Sequence, residues 1–109
     1  MTSLAETFHA LGNPTRFAIV ERLMREGELS AGDLLDGEQV SAPALSRHVK
    51  LLREAGLING RVDKQRRLYS LRPEGLKAIQ EWTLEFPSFW EGSMDRLAEA
   101  IKRARKEAE

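Results

Sequence analysis

The sequence predicts a mainly α-helical fold that carries one small β-hairpin directly after its fourth helix. Three observations predict it: apolar residues at helical spacing on both sides of the middle third, Ser, Asn, Pro and Gly at the boundaries of those runs, and one pair of short β-favouring runs at residues 57–62 and 67–71. At 109 residues, with 41% apolar and 31% charged side chains, a single core is the default. The reading is therefore one domain over residues 1–109.

Each element has its own signal. Leu4, Phe8 and Leu11 recur at helical spacing behind Thr2 and Ser3, either of which suits a cap, and Gly12 ends the run. Asn13 and Pro14 restart the chain, because Asn accepts hydrogen bonds from free helix N–H groups and Pro lacks an N–H where none is needed. Phe17, Ile19, Val20, Leu23 and Met24 supply the apolar stripe of a second helix, closed by Gly27. Ser30 and Asp33 form a capping-box pattern ahead of Leu34 and Leu35, a helix of barely two turns that Asp36 and Gly37 stop. A fourth helix over 41–55 starts at Ser41, with Leu45, Val49 and Leu52 on one face and Pro43, Ser46, Arg47 and Lys50 on the other. Gly56 suits the left-handed position after its end.

Two short helices in tight succession, the second with an outward basic face, make a helix-turn-helix over 30–56, and the hairpin over 57–72 makes its wing. Asp63, Lys64, Gln65 and Arg66 separate the two hairpin strands. From Pro73 the helical pattern returns through Leu76, Ile79 and Trp82 to a break or kink at Pro87, then continues through Trp90, Met94, Leu97 and Ile101. Residues 1–12 and 74–106 are left as helices for dimerisation. Trp82, Phe86, Phe89 and Trp90 place four of seven aromatics within nine residues, more apolar area than the edge of a small core absorbs.

Formal net charge is zero, yet Ser41 to Arg72 holds eight basic side chains against two acidic ones, and the remainder is acidic by the same margin. A polyanion responds to charge within a Debye length of about 8 Å, so this segregation outweighs the total. The absence of cysteine excludes disulfides, thiolate metal sites and thiol chemistry. No apolar run approaches the roughly 18 residues of a membrane span, and the first residues form no signal-peptide core, which points to the cytoplasm. Glycine-rich phosphate loops and metal-ligand spacings are absent, and neither histidine has a nucleophile beside it in sequence; His9 reads as structural or interfacial. No enzyme and no cofactor is expected.

The candidate partner is double-stranded DNA. Ser41, Pro43, Ser46, Arg47 and Lys50 are expected at the major groove, where Arg47 suits guanine O6 and N7; a solvated helix face is the alternative. His48 projects to the flank of the core and reads either as a DNA contact or as a structural histidine. Lys64 and Arg66, with Arg61 and Arg67, suit phosphates or the minor groove; a solubilising hairpin tip is the alternative. Arg16 suits a phosphate or an intramolecular carboxylate. Leu4, Phe8, Leu11, Trp82, Phe86, Phe89, Trp90, Met94, Leu97 and Ile101 are the expected dimer interface, and the aromatic cluster leaves room for a small-molecule effector. A winged helix that binds an acidic protein is the competing function.

Ala10 to Arg16, Gly27 to Ser30, Ala44 to Leu52 and Ala55 to Ile58, in that order and separation, resemble the ArsR-type winged-helix repressors along nearly the whole chain. The resemblance implies a homodimer joined by its first and last helices and a helix-turn-helix with wing on DNA. Metal-sensing members carry a cysteine pair where this chain has Ser30, Ala31 and Gly32. Others bind zinc with histidines on the last helix, and no histidine follows His48. No metal site is therefore expected, and the Phe89-Trp90 segment is similar to the non-metal, autoregulatory branch.

Overall fold

The computed structural model describes residues 3–85 and 87–108, without the side chains of residues 87 and 89. Helix α1 (Leu4–Leu11) begins at Ser3, whose hydroxyl accepts from the Glu6 amide, and α2 (Pro14–Glu26) begins at Asn13, whose side chain accepts from Thr15 and Arg16. A two-residue strand β1 (Leu29–Ser30) leads into α3 (Ala31–Gly37), and α4 (Ala42–Glu54) follows. Strands β2 (Ile58–Asp63) and β3 (Arg66–Leu71) form the hairpin, ahead of α5 (Pro73–Leu84) and α6 (Pro87–Ala108). The chain is mainly helical with a small antiparallel sheet, as the sequence predicts.

The sheet has three strands rather than two, in the order β1-β3-β2. Leu29 pairs with Tyr69 and Ser30 with Leu68. A two-residue strand leaves no period to detect, so only its partner in the fold defines it. The hairpin is also tighter than expected: Asp63 pairs with Arg66, leaving Lys64 and Gln65 as the whole turn. Lys64 takes φ 59°, the sign that the right-handed twist of the flanking strands requires at the first central position.

Contacts divide the chain into two units, one reaching to Ile79 and one from Gln80 onward. The core of the first unit gathers Ala10, Ile19, Val20, Leu23, Leu34, Leu45, Val49, Leu52, Leu57, Ile58 and Tyr69. Phe17 and Met24 do not join it; they are 48% and 54% exposed. They share one stripe of α2, which Val20 separates from the buried Ile19 and Leu23.

The end of α4 shows how sequence fixes a corner. Ala55 is the C-cap, Gly56 takes φ 74°, the Leu57 amide donates to the Leu52 carbonyl and the Gly56 amide to that of Arg53. This is the Schellman arrangement, sealed by contact between the buried Leu52 and Leu57. Gly75 then packs so closely that a Cβ there would stand 2.5 Å from the Gly56 carbonyl oxygen.

The second unit is helical. Helix α5 ends at Leu84 and α6 starts at Pro87, so the two are separate helices. Trp90 donates its indole N–H to the Thr83 carbonyl at 2.8 Å.

Candidate nucleic-acid interface

The α3–α4 pair is built from its caps. Ser30 closes the reciprocal box with Asp33: the Asp33 amide donates to the Ser30 hydroxyl at 3.1 Å and the Ser30 amide to the Asp33 carboxylate at 3.2 Å. Hydrogen bonding from the Ser30 side chain first, then from the Ser30 amide, holds the Asp33 carboxyl below its ordinary pKa. Arg22 of α2 donates to the carbonyls of Asp33 and Leu34, tying α3 to the core helix. Ser41 accepts from the Ala44 amide at 3.2 Å and starts α4.

On α4, Leu45, Val49 and Leu52 are buried. Ser41, Pro43, Ser46, Arg47 and Lys50 are exposed, on the outward side that the helical spacing assigns to them. His48 is half-buried, and its Nδ1 accepts from the Arg16 guanidinium at 3.3 Å, which places the neutral ring's proton on Nε2. Burial first, then the positive charges of Arg16 and Arg47, push the imidazole below its ordinary pKa.

Arg16 is a junction. Its Nε donates to the Ala10 carbonyl at 2.7 Å and its Nη2 to that of His9 at 3.4 Å, so it satisfies the C-terminal end of α1 while touching α4. Its guanidinium thus holds backbone carbonyls and an imidazole, not the carboxylate the sequence reading weighed.

The wing residues separate by strand register, since paired residues share a face. Arg61, opposite Leu68, makes a two-pronged bond to Glu28 at 2.6 and 2.8 Å. That hydrogen bonding lowers the Glu28 pKa and raises that of Arg61. Arg66 lies opposite Asp63 at the tip; Arg67, opposite Val62, is on the other face, the one that carries Tyr69. Arg67 also borders the apolar cleft between α3, α4 and β3. Lys64, Arg66 and Arg67 are all exposed.

The expected interface residues fall into three groups. Leu4 and Leu11 are half-buried and Phe8 is 41% exposed on α1. Trp90, Met94, Leu97 and Ile101 recur at i, i+4, i+7 and i+11, an exposed apolar stripe along α6, and Trp82 is 44% exposed on α5. Phe86 and the side chain of Phe89 lie outside the described residues. Among the described residues no group of three or more His, Cys, Asp or Glu side chains is placed to hold a metal ion, and no helix is long and apolar enough to cross a membrane.

One cation on this surface is missing from the sequence reading: Arg53, three residues after Lys50 and seven after Ser46, exposed beside the wing. Its signal was the same helical spacing that singled out Ser46 and Lys50.

A helix-turn-helix whose second helix turns basic residues outward beside a wing defines a winged-helix transcriptional regulator. A family model described as a helix-turn-helix domain matches residues 11–61. HTH-type transcriptional regulator Rv2034 of Mycobacterium tuberculosis is 39% identical over 94 residues, spanning 86% of this chain and 84% of that protein. Transcriptional repressor SdpR of Bacillus subtilis is 33% identical over 79 residues, 72% of this chain and 87% of that one. The ArsR-like transcriptional regulator from Rhodococcus sp. RHA1 superposes with a TM-score of 0.71 at 27% identity, covering 97% of this chain and 93% of the other. The chain belongs to the ArsR-type helix-turn-helix transcriptional regulators, which are not a class of enzymes.

Proposed function

We propose that the protein is a cytoplasmic homodimeric repressor that binds double-stranded DNA at an inverted-repeat operator. One α4 helix enters each of two successive major grooves, and the wings lie alongside. The observation that carries this reading is the state of the cations in the first unit. Arg16, Arg22, Arg25, Arg61 and Arg72 are each hydrogen-bonded or ion-paired within the chain. Among the described residues Arg47, Lys50, Lys64, Arg66 and Arg67, on α4 and the wing, make no hydrogen bond or ion pair and are exposed. Cations left unpaired on α4 and the wing, within a chain of zero net charge, suit a polyanion.

The exposed stripe of α6, and on the first unit the exposed Phe8, are each apolar surface that a second copy could cover. Two-fold symmetry then sets half-sites about 10 base pairs apart. Occlusion of polymerase follows from occupancy, in keeping with the relative from Bacillus subtilis that is named a repressor.

The test is a gel-shift series over salt on duplex fragments from the source genome. Affinity is expected to fall with a log–log slope of about −0.9 per neutralised phosphate. Binding that ignores salt, or no binding to any duplex, would count against the reading and favour an acidic protein partner.

A further inference from the structure

A groove runs between α4 and the free edge of strand β2, and the candidate contacts above leave it unassigned. Ser46, Lys50 and Arg53 stand in one row along α4, and Arg53 ends that row. Its guanidinium lies over Gly60 of β2. A Cβ at Gly60 would stand 3.3 Å from both Cζ and Nε of Arg53, and 3.1 Å from Cε1 of Tyr69. The missing side chain at Gly60 lets the guanidinium lie close against the strand, where a Cβ would make the contact tight.

Arg53 divides the groove into two open clefts. Toward the base of the wing, a cleft of about 420 Å³ is bordered by Lys50, Arg53 and Arg72, with one carboxylate, Glu54, and the Asn59 amide. Toward the tip, a cleft of about 280 Å³ is bordered by Arg53, Arg61, Arg67 and Tyr69. Among the described residues the Arg53 guanidinium itself makes no hydrogen bond or ion pair. A planar fork held against backbone, with its N–H donors unbonded and positive charge on both sides, selects an anion with paired oxygens.

We propose that Arg53, seated on Gly60, clamps a backbone phosphate of duplex DNA that passes through the groove between α4 and β2, with Lys50 as the flanking charge. The proposal rests on the DNA-binding reading above. It adds a contact that positions the duplex without reading its sequence, and it gives Gly60 a purpose that strand-forming preference does not.

The test compares wild type, Arg53→Gln, Arg53→Lys and Gly60→Ala on a mixed-sequence duplex of about 30 base pairs across a salt series, because phosphate contacts act on every sequence. Arg53→Gln is expected to reduce the magnitude of the log–log salt slope by about 0.9, to weaken binding to all sequences by the same factor, and to leave the melting temperature in place. Arg53→Lys restores the slope. Gly60→Ala, which asks Arg53 and Tyr69 to give by a few tenths of an ångström and keeps the charge, is expected to weaken duplex binding less than Arg53→Gln does.

If wild type binds duplex with a salt slope and Arg53→Gln matches it in slope and affinity, the clamp is overturned while the DNA reading stands. If wild type shows no salt-dependent duplex binding, the DNA reading fails and takes the clamp with it. Loss in Arg53→Gln of inorganic phosphate binding by the free protein, with duplex binding unchanged, would assign the site to free phosphate and overturn the duplex as its source.

Discussion

Single residues in this chain carry consequences that can be measured one at a time. Arg47→Ala is expected to cost on the order of 1–3 kcal/mol of discrimination between operator and competitor, whereas Arg66→Ala weakens binding to all sequences alike. Competition gel shifts separate the two outcomes, and equal behaviour of both variants with wild type would unseat the assignment. Gly75→Ala tests packing instead. A methyl group 2.5 Å from the Gly56 carbonyl oxygen forces α5 away from the α4 corner, for an expected loss of about 1–3 kcal/mol in denaturant unfolding.

His48 ties stability to pH. Its folded pKa is lowered, so the unfolded chain binds the proton more readily. The stability linked to it is present above the ordinary imidazole value of about 6.5 and is lost as pH falls through the lower folded value. Protonation also removes the Nδ1 lone pair that accepts from Arg16. Thermal melts taken from about pH 7.5 downward are expected to show this decline in wild type and not in His48→Gln. Asp33, also lowered, adds a separate loss in a more acidic window, below the ordinary carboxylate value.

At the scale of elements, the wing turn holds a conflict that one substitution exposes. Lys64 occupies a left-handed conformation that costs an ordinary residue roughly 1–2 kcal/mol and glycine little. Lys64→Gly is expected to raise the melting temperature, by less than that figure because glycine gains freedom in the unfolded chain, while weakening duplex binding. A variant that lost both would show that the lysine is there for the hairpin rather than for a partner.

Legibility in the sequence followed chemistry and length. Helix starts were readable because Ser3, Asn13, Ser30 and Ser41 are short polar side chains that bond the free amides behind them. The corner at Gly56 was readable because few residues other than glycine tolerate φ 74°. Strand β1 was not, since its two residues acquire their identity only from Tyr69 and Leu68 across the sheet. The exposure of Phe17 and Met24 was not legible, because apolarity alone does not tell a core position from an exposed stripe beside one. In the candidate interface, the outward placement of Ser46, Arg47 and Lys50 was legible from spacing. The partners of Arg16 and Arg61 were not, because carbonyls of α1 and the carboxylate of Glu28 are brought to them by tertiary structure.

For the whole molecule, the apolar row on α6 is where association is tested. Leu97→Glu, alone or with Trp90→Ala, is expected to convert a dimer into monomer or aggregate in analytical ultracentrifugation. Operator affinity would fall with it, since two linked half-site contacts act at high effective concentration and one does not. A dimer that survives both changes would place the self-contact elsewhere.

Ser30 belongs to two structures at once: it is the last residue of β1, paired with Leu68, and the cap of α3. No residue intervenes between the sheet and the helix pair at this point, so on the proposed function the two would meet duplex DNA like a die rather than a hand. Adjustment at such a junction falls to the more pliable partner. Base steps that bend or narrow easily would then be favoured at positions no side chain reaches, and operator variants altered only there are expected to change affinity.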